Sequence, residues 1–417
     1  MFRSGWGWMV ALAGISAMAV ILTAFSLPAW ARRGDLVFAA GAKTMTGIDV
    51  LEAAKFDVLQ GKRVGVITNQ TGVDSAGRRT IDVLAHAPGV TLVAIFSPEH
   101  GIAGRADENV ANAKDEATGL PVYSLYGDTR RPTDAMLAGI DALVFDIQDA
   151  GVRFYTYTTT MAYCMEEAAK RHIELVVLDR PDILGGDVIE GPILDADKTS
   201  FVGYFPMPVR YAMTLGELAR MWNAENKIGA DLRVVEMKNW QRREAYDETG
   251  LAWIPPSPNL RSADAAFLYP GVEILQAGDI SVGRGTETPF ELFGAPWIDG
   301  KALAARLDAL RIPGVRFRSV AFRPTSGVHA GEHCEGVTIQ IVDRGAIRSV
   351  TMSLAITETL KQMYPKDFRI DKIIELLGSE ATLAELKSGV PPAQIEANWA
   401  AGLEKFRTMR AKYLIYH

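Results

Sequence analysis

The side chains best suited to chemistry in this 417-residue chain stand at the ends of short apolar runs. Phe96-Ser-Pro-Glu-His-Gly101 follows the apolar run 90–95. Pro98 removes a backbone donor and ends a strand, and Gly101 permits a tight turn. Glu99 and His100 are left side by side at the strand's end, where an acid can work as a general acid on a bound ligand. The competing reading is a helix start, with Glu99 favoured by the helix dipole. Three further runs end the same way: one in Asn69-Gln70, one in Asp146-Ile-Gln148-Asp149-Ala-Gly-Val-Arg153, one in Asp179-Arg180-Pro181. An Asp149–Arg153 ion pair would account for part of the third cluster, but not for Asp146 at the end of an apolar run. Phe154-Tyr155-Thr-Tyr157 comes next, and aromatic faces beside polar groups suit a sugar ring; equally, Phe154 and one tyrosine fit a core.

A separate stretch, Ile280-Ser-Val-Gly-Arg284-Gly-Thr-Glu287-Thr-Pro-Phe290, puts an arginine between two glycines. Its backbone can approach a ligand closely, and its guanidinium can clamp a carboxylate through two hydrogen bonds. Glu287 would orient that arginine or act as an acid–base group, unless the two simply pin a loop.

Continuous β-rich runs position the four clusters: 63–67, 90–95, 142–146 and 173–179, separated by helical patterns at 80–87, 135–138 and 160–171. Runs of this kind point to a parallel sheet covered on both faces. The expected fold is therefore α/β, with a Rossmann-like parallel sheet whose carboxyl edge gathers all four polar clusters. No Gly-x-Gly-x-x-Gly opens any helix, so no dinucleotide cofactor is expected. After residue 185 the pattern turns irregular. Trp253-Ile-Pro-Pro-Ser-Pro-Asn259 and Leu268-Tyr-Pro-Gly271 read as rigid loops. Strands at 315–318 and 336–342 and helices at 303–310, 350–363, 371–377, 383–386 and 392–413 suit a second, smaller α+β domain. The expected division is 1–31, 32–260 and 261–417.

The first segment reads as a secretory signal peptide. Arg3 gives a positive start, 8–25 is apolar, and Ala29-Trp-Ala31 is a small-x-small cleavage site. The mature protein would then be exported, periplasmic or secreted, without stable insertion in a membrane. A formal charge of −6 gives no reason to expect nucleic acid as a partner. Cys164 and Cys334 could form one bridge, although Cys164 falls in a helical pattern as a small apolar residue would. His329 and His333 lie four apart, but Gly331 stands between them and no helical pattern surrounds them, so no metal is expected. No Gly-x-Ser-x-Gly elbow offers a serine nucleophile.

Taken together, Gly65-Val-Ile-Thr-Asn-Gln-Thr-Gly72, Phe96-Ser-Pro-Glu-His-Gly101, Phe145-Asp-Ile-Gln-Asp149, Gly151-Val-Arg-Phe-Tyr-Thr-Tyr157, Leu178-Asp-Arg-Pro181, Pro256-Ser-Pro-Asn259 and Ser281-Val-Gly-Arg-Gly-Thr286 resemble the NamZ-type exo-β-N-acetylmuramidase family, formerly known as a domain of unknown function. The resemblance runs from about residue 47 to the end of the sequence, with Asp182-Ile183 a looser version of the usual Asn-Pro. It implies a Rossmann-like domain and a smaller C-terminal domain with the site in the cleft between them. It also implies an enzyme that removes N-acetylmuramic acid from the non-reducing ends of peptidoglycan-derived MurNAc-GlcNAc saccharides in cell-wall turnover, with Glu99 in the motif of the proposed catalytic glutamate.

Glycoside hydrolysis needs a proton donor and usually a second carboxylate. Glu99 is the expected acid, and Asp146, Asp149 and Glu287, in that order, are candidates for the second. Muramic acid carries a lactyl carboxylate, for which Arg153, Arg180 and Arg284 are available. Asn69, Gln70, His100, Gln148, Tyr155, Tyr157 and Asn259 complete the expected binding set. A muropeptide amidase or esterase and a non-catalytic exported sugar-binding protein are the alternatives.

Overall fold

The computed structural model describes residues 43–105 and 111–417. The expected signal peptide, 1–31, lies outside the described residues. Seven strands form the main sheet: β1 Arg63–Thr68, β2 Thr91–Ser97, β3 Ala113–Lys114, β4 Pro121–Ser124, β5 Ala142–Asp146, β6 Glu174–Leu178 and β7 Leu232–Val235. Their order is β3-β4-β2-β1-β5-β6-β7, with every pairing parallel except that of the short edge strand β3 to β4. With β3 set aside, this is the doubly wound order, in which the direction of winding reverses between β1 and β5. The crevice outside the carboxyl ends of those two strands is where such sheets hold ligands.

Alternation along the strands divides the core. Val64 and Val66 of β1, Ala142 and Val144 of β5 and Val176 and Leu178 of β6 face helices α1 (Gly47–Ala53) and α2 (Thr80–Ala85). Ile67, Leu143, Phe145, Leu175 and Val177 face the other way, toward α4 (Tyr157–Lys170) and α5 (Leu215–Glu225). Both faces are apolar because both are covered, which is why the strands read as unbroken hydrophobic runs. The short α3 is Asp134–Leu137. Thr214 caps α5 in a capping box with Glu217, as its sequence predicts.

The smaller domain begins with α6 (Ala263–Gln276) and holds a three-stranded antiparallel sheet in the order β8-β10-β9, formed by β8 Leu292–Ala295, β9 Val315–Phe322 and β10 Cys334–Ile341. Helices α7 Gly300–Ala309, α8 Ser349–Met363, α9 Ile374–Leu377, α10 Glu380–Ser388 and α11 Pro392–Arg410 complete it. One apolar core runs from the main sheet into this domain without a break.

Two local expectations are corrected. Leu268-Tyr-Pro-Gly271 is not a loop but the interior of α6, with Pro270 inside the helix. A proline there costs about 3 kcal/mol. The helix tolerates it because every residue from 265 to 275 is buried, so packing outweighs the lost hydrogen bond. Gly271 sits where α8 begins: a Cβ there would stand 1.9 Å from the Ser349 carbonyl oxygen. The strand β4 is hidden in the sequence by Pro121, which is acceptable only because it is the strand's first residue. Helix α4 also starts earlier than its apolar pattern suggests, at Tyr157. Both cysteines are buried and unbridged.

Candidate active site

Glu99 lies just past the end of β2, half-buried, in a turn where His100 takes a φ of +68°. The hydroxyl of Thr156, the residue that precedes α4, donates to Glu99 Oε2. The Tyr126 hydroxyl, beyond β4, faces the same carboxylate; burial first, and then the charge of Glu99, push that phenol up to about 12. Glu99 is thus held by the Thr156 hydroxyl with the Tyr126 phenol near it, and neither residue stands out in the sequence. His100 is half-buried beside it.

The switch point between β1 and β5 is drawn tight. A Cβ on Gly72 would lie 2.0 Å from Thr68 Oγ1 and 2.9 Å from the Asp146 carbonyl oxygen, so only glycine fits. Asn69 accepts from the Thr71 N–H at 2.9 Å and from its hydroxyl at 2.6 Å, which leaves its buried Nδ2 without a partner. Gln70 Nε2 donates to the Pro255 carbonyl at 2.8 Å, and Gln148 Nε2 to the Pro181 carbonyl at 2.8 Å; each amide keeps an unpartnered buried oxygen. Asn259 is buried in the loop that leads to α6. Buried polar atoms are nearly always paired, and the unpaired ones at this edge are of the kinds that suit a polar ligand.

The aromatic residues back this edge rather than forming an open platform. Tyr155 and Tyr157 are buried, with ring centroids 4.8 Å apart, edge to face. The Tyr157 hydroxyl donates to the Pro256 carbonyl at 2.7 Å, while the Tyr155 hydroxyl faces Ser257 without a hydrogen bond of ordinary geometry. Tyr269 of α6 continues the cluster, 5.9 Å from Tyr155 and 4.8 Å from Phe290.

Several expected site residues turn out to build the edge instead of facing a ligand. Asp146 is fully buried; Arg180 donates to it through Nε at 2.6 Å and Nη2 at 3.0 Å, and Thr80 donates as well. Arg180 has its remaining reach taken by the Val73 carbonyl at 2.7 Å. Asp146 and Arg180 therefore face each other out of water. Arg153 does not pair with Asp149 either. Its buried guanidinium gives four hydrogen bonds, of 2.8–3.0 Å, to the carbonyls of Pro192, Met207, Leu376 and Leu377. Glu287 is exposed on the turn after Gly283.

Asp149 accepts from the Tyr211 hydroxyl and from the Gly151 N–H at 2.7 Å, and burial pushes its carboxyl up to about 7. The unfolded chain ionises this group near its ordinary value of 3.8, so the stability it lends is complete below that pH and is lost as pH rises toward 7. Asp149→Asn keeps the acceptor oxygen and removes the titration. Its melting temperature relative to the parent should climb between pH 4 and pH 7 and then level off; a difference independent of pH in calorimetry would refute this.

On the opposite wall, Arg284 Nη2 donates to Glu273 Oε1 of α6 at 2.6 Å and Nε to Gln276 at 2.7 Å, with the guanidinium 5.2 Å from the Phe290 ring. Glu273 is only 6% exposed. Burial pushes its carboxyl up, Arg284 opposes that, and the charge of Glu99 adds to it. Glu273 is a residue that the sequence does not mark.

Family models describe the same chain in two adjoining pieces. The N-terminal domain of exo-β-N-acetylmuramidase NamZ matches residues 64–264, and its C-terminal domain matches 267–416. This chain belongs to the NamZ family. It is 43% identical over 379 residues to the peptidoglycan β-N-acetylmuramidase NamZ of Bacillus subtilis strain 168, covering 90% of this chain and 92% of the relative. Two crystal structures of DUF1343 family proteins from Bacteroides fragilis NCTC 9343 superpose on it. One, at 1.65 Å, has a TM-score of 0.82 and 40% identity; the other, at 1.30 Å, has 0.75 and 30%. Each comparison covers 90% of this chain and 99% of the solved one. The family's two-part layout coincides with the seven-stranded and three-stranded sheets.

Proposed function

We propose that the protein is an exo-acting glycoside hydrolase that releases N-acetylmuramic acid from the non-reducing ends of peptidoglycan-derived MurNAc-GlcNAc saccharides. What carries this reading is that Glu99, set at the carboxyl end of β2 next to the strand where the winding reverses and held by Thr156, stands in a chain that matches exo-β-N-acetylmuramidase models in both halves. Glu99 is the proton donor to the leaving oxygen. The unpartnered oxygens and amide of Asn69, Gln70, Gln148 and Tyr155 meet the sugar's hydroxyl and acetamido groups. Of the three arginines, Arg284 is the one with an appreciable part of its side chain at the surface, 23%, and its charge attracts the lactyl carboxylate that distinguishes muramic acid from glucosamine. The layout of residues 1–31 supports export, and hence a role in cell-wall turnover and recycling at the periplasm or outside the cell.

Two chromogenic substrates test the reading. The aryl β-N-acetylmuramide should be hydrolysed, and the aryl β-N-acetylglucosaminide should be slower by roughly 10²-fold or more in kcat/KM, because it lacks the lactyl carboxylate that Arg284 attracts. Equal rates would remove the role of the lactyl group. Tight binding without turnover would point instead to a sugar-binding protein.

A further inference from the structure

Hydrolysis of a glycoside by an acid such as Glu99 usually employs a second carboxyl group, and the three that the sequence offers are poorly placed. Asp146 is spent on Arg180 and Thr80, and Glu287 is exposed on its turn. Asp149 is held through Oδ2 by Tyr211 and Gly151, deep beneath the edge, with its Oδ1 unpartnered. Glu273 differs in pairing with an arginine that reaches the surface. It lies one turn beyond Tyr269 on α6, on the same helical face, and Tyr269 packs 5.9 Å from the ring of Tyr155, the neighbour of the Thr156 that holds Glu99. One of its oxygens is fixed by Arg284, which Gln276 braces; the other, Oε2, is buried and has no partner. A buried carboxylate oxygen left unpaired is costly, and such costs are retained where the group has work to do.

We infer that Glu273, oriented by Arg284, is the carboxylate on the anomeric-carbon side of the scissile bond, facing Glu99 across the substrate. This rests on the reading of Glu99 given above. As the bond from C1 to the leaving oxygen breaks, its electron pair goes to that oxygen, which takes the proton of Glu99. The oxygen of a water bonds to C1, and the proton it loses passes to Glu273. Exchange with solvent returns the Glu273 proton and reprotonates Glu99, so that one water is consumed and nothing else changes.

The test uses the full protein with an aryl β-N-acetylmuramide, and sodium azide as an external nucleophile. Glu273→Gln keeps the shape and an acceptor for Arg284, so it should fold, as circular dichroism would confirm, yet lose roughly 10³-fold in kcat. Glu273→Ala should recover turnover in azide and yield the α-glycosyl azide, a product that no merely structural role for Glu273 can explain. A Glu273→Gln rate within tenfold of the parent overturns the inference. So does a slow Glu273→Ala that azide does not rescue. Glu99→Gln is run in parallel: if it turns over like the parent, the Glu99 reading fails, whatever Glu273 does. If Glu99→Gln is slow and Glu273→Gln is fast, only the assignment of Glu273 fails.

Discussion

Replacing Glu99 by glutamine should reduce kcat on a glycan substrate by roughly 10³-fold or more while leaving KM within a few-fold, the range expected when a positioned acid is removed. The substitution is nearly isosteric. The new side chain's amide oxygen would still accept from Thr156, and the half-buried position asks little of the fold, so thermal unfolding should be unchanged. The loss should also depend on the leaving group. A natural sugar alcohol leaves poorly and needs protonation, whereas dinitrophenolate leaves without help. Glu99→Gln should therefore retain far more of the parent rate on a dinitrophenyl glycoside than on a disaccharide. A uniform loss across leaving groups, with an unchanged melting temperature, would remove Glu99 from the role of acid.

The second large effect concerns stability. Asp146→Ala strips a fully buried anion from an arginine that is itself 5% exposed and has two hydrogen bonds to it. Removing one partner of a buried pair costs about 3–5 kcal/mol, mostly because the remaining charge is left without compensation. Urea unfolding should show a loss of this size, and Asp146→Asn a smaller one. The double variant Asp146→Ala with Arg180→Met should recover much of it, since the stranded cation is gone. If the double variant is less stable than either single one, the pair is not the reason the edge holds together.

The parallel sheet and its polar edge are legible for a definite physical reason. Strands covered on both faces cannot alternate, so 63–67, 90–95, 142–146 and 173–179 are apolar throughout and end abruptly in residues that favour water. That abruptness is what exposes Glu99. Glu273 is concealed by a local rule that is usually sound: Pro270-Gly271 reads as a turn, and α6 overrides it through burial on all sides. Once that helix is broken on paper, Glu273 is no longer one turn from Tyr269 and has no face to share. Tyr126 is hidden in the same way, because Pro121 conceals the strand that carries the chain to it. Asp146, Arg153 and Arg180 are legible as polar groups but not as paired ones. Charged residues at strand ends look like ligand contacts, yet burial obliges them to offset their own desolvation with partners inside the protein. Sequence spacing does not reveal that Leu376 and Leu377 supply two of the acceptors for Arg153.

Those two acceptors have a bearing on how the chain's halves can be inherited. Arg153 reaches across more than two hundred residues of sequence to the carbonyls at the end of α9, groups that a helix end leaves unsatisfied. The polar edge is thus tied to the far half, and loop closure of that span must precede the contacts that reward it. Neither half is an exchangeable module. A recombinant that joins one relative's first half to another's second half keeps a working edge only if the incoming α9 presents its last carbonyls to the same guanidinium.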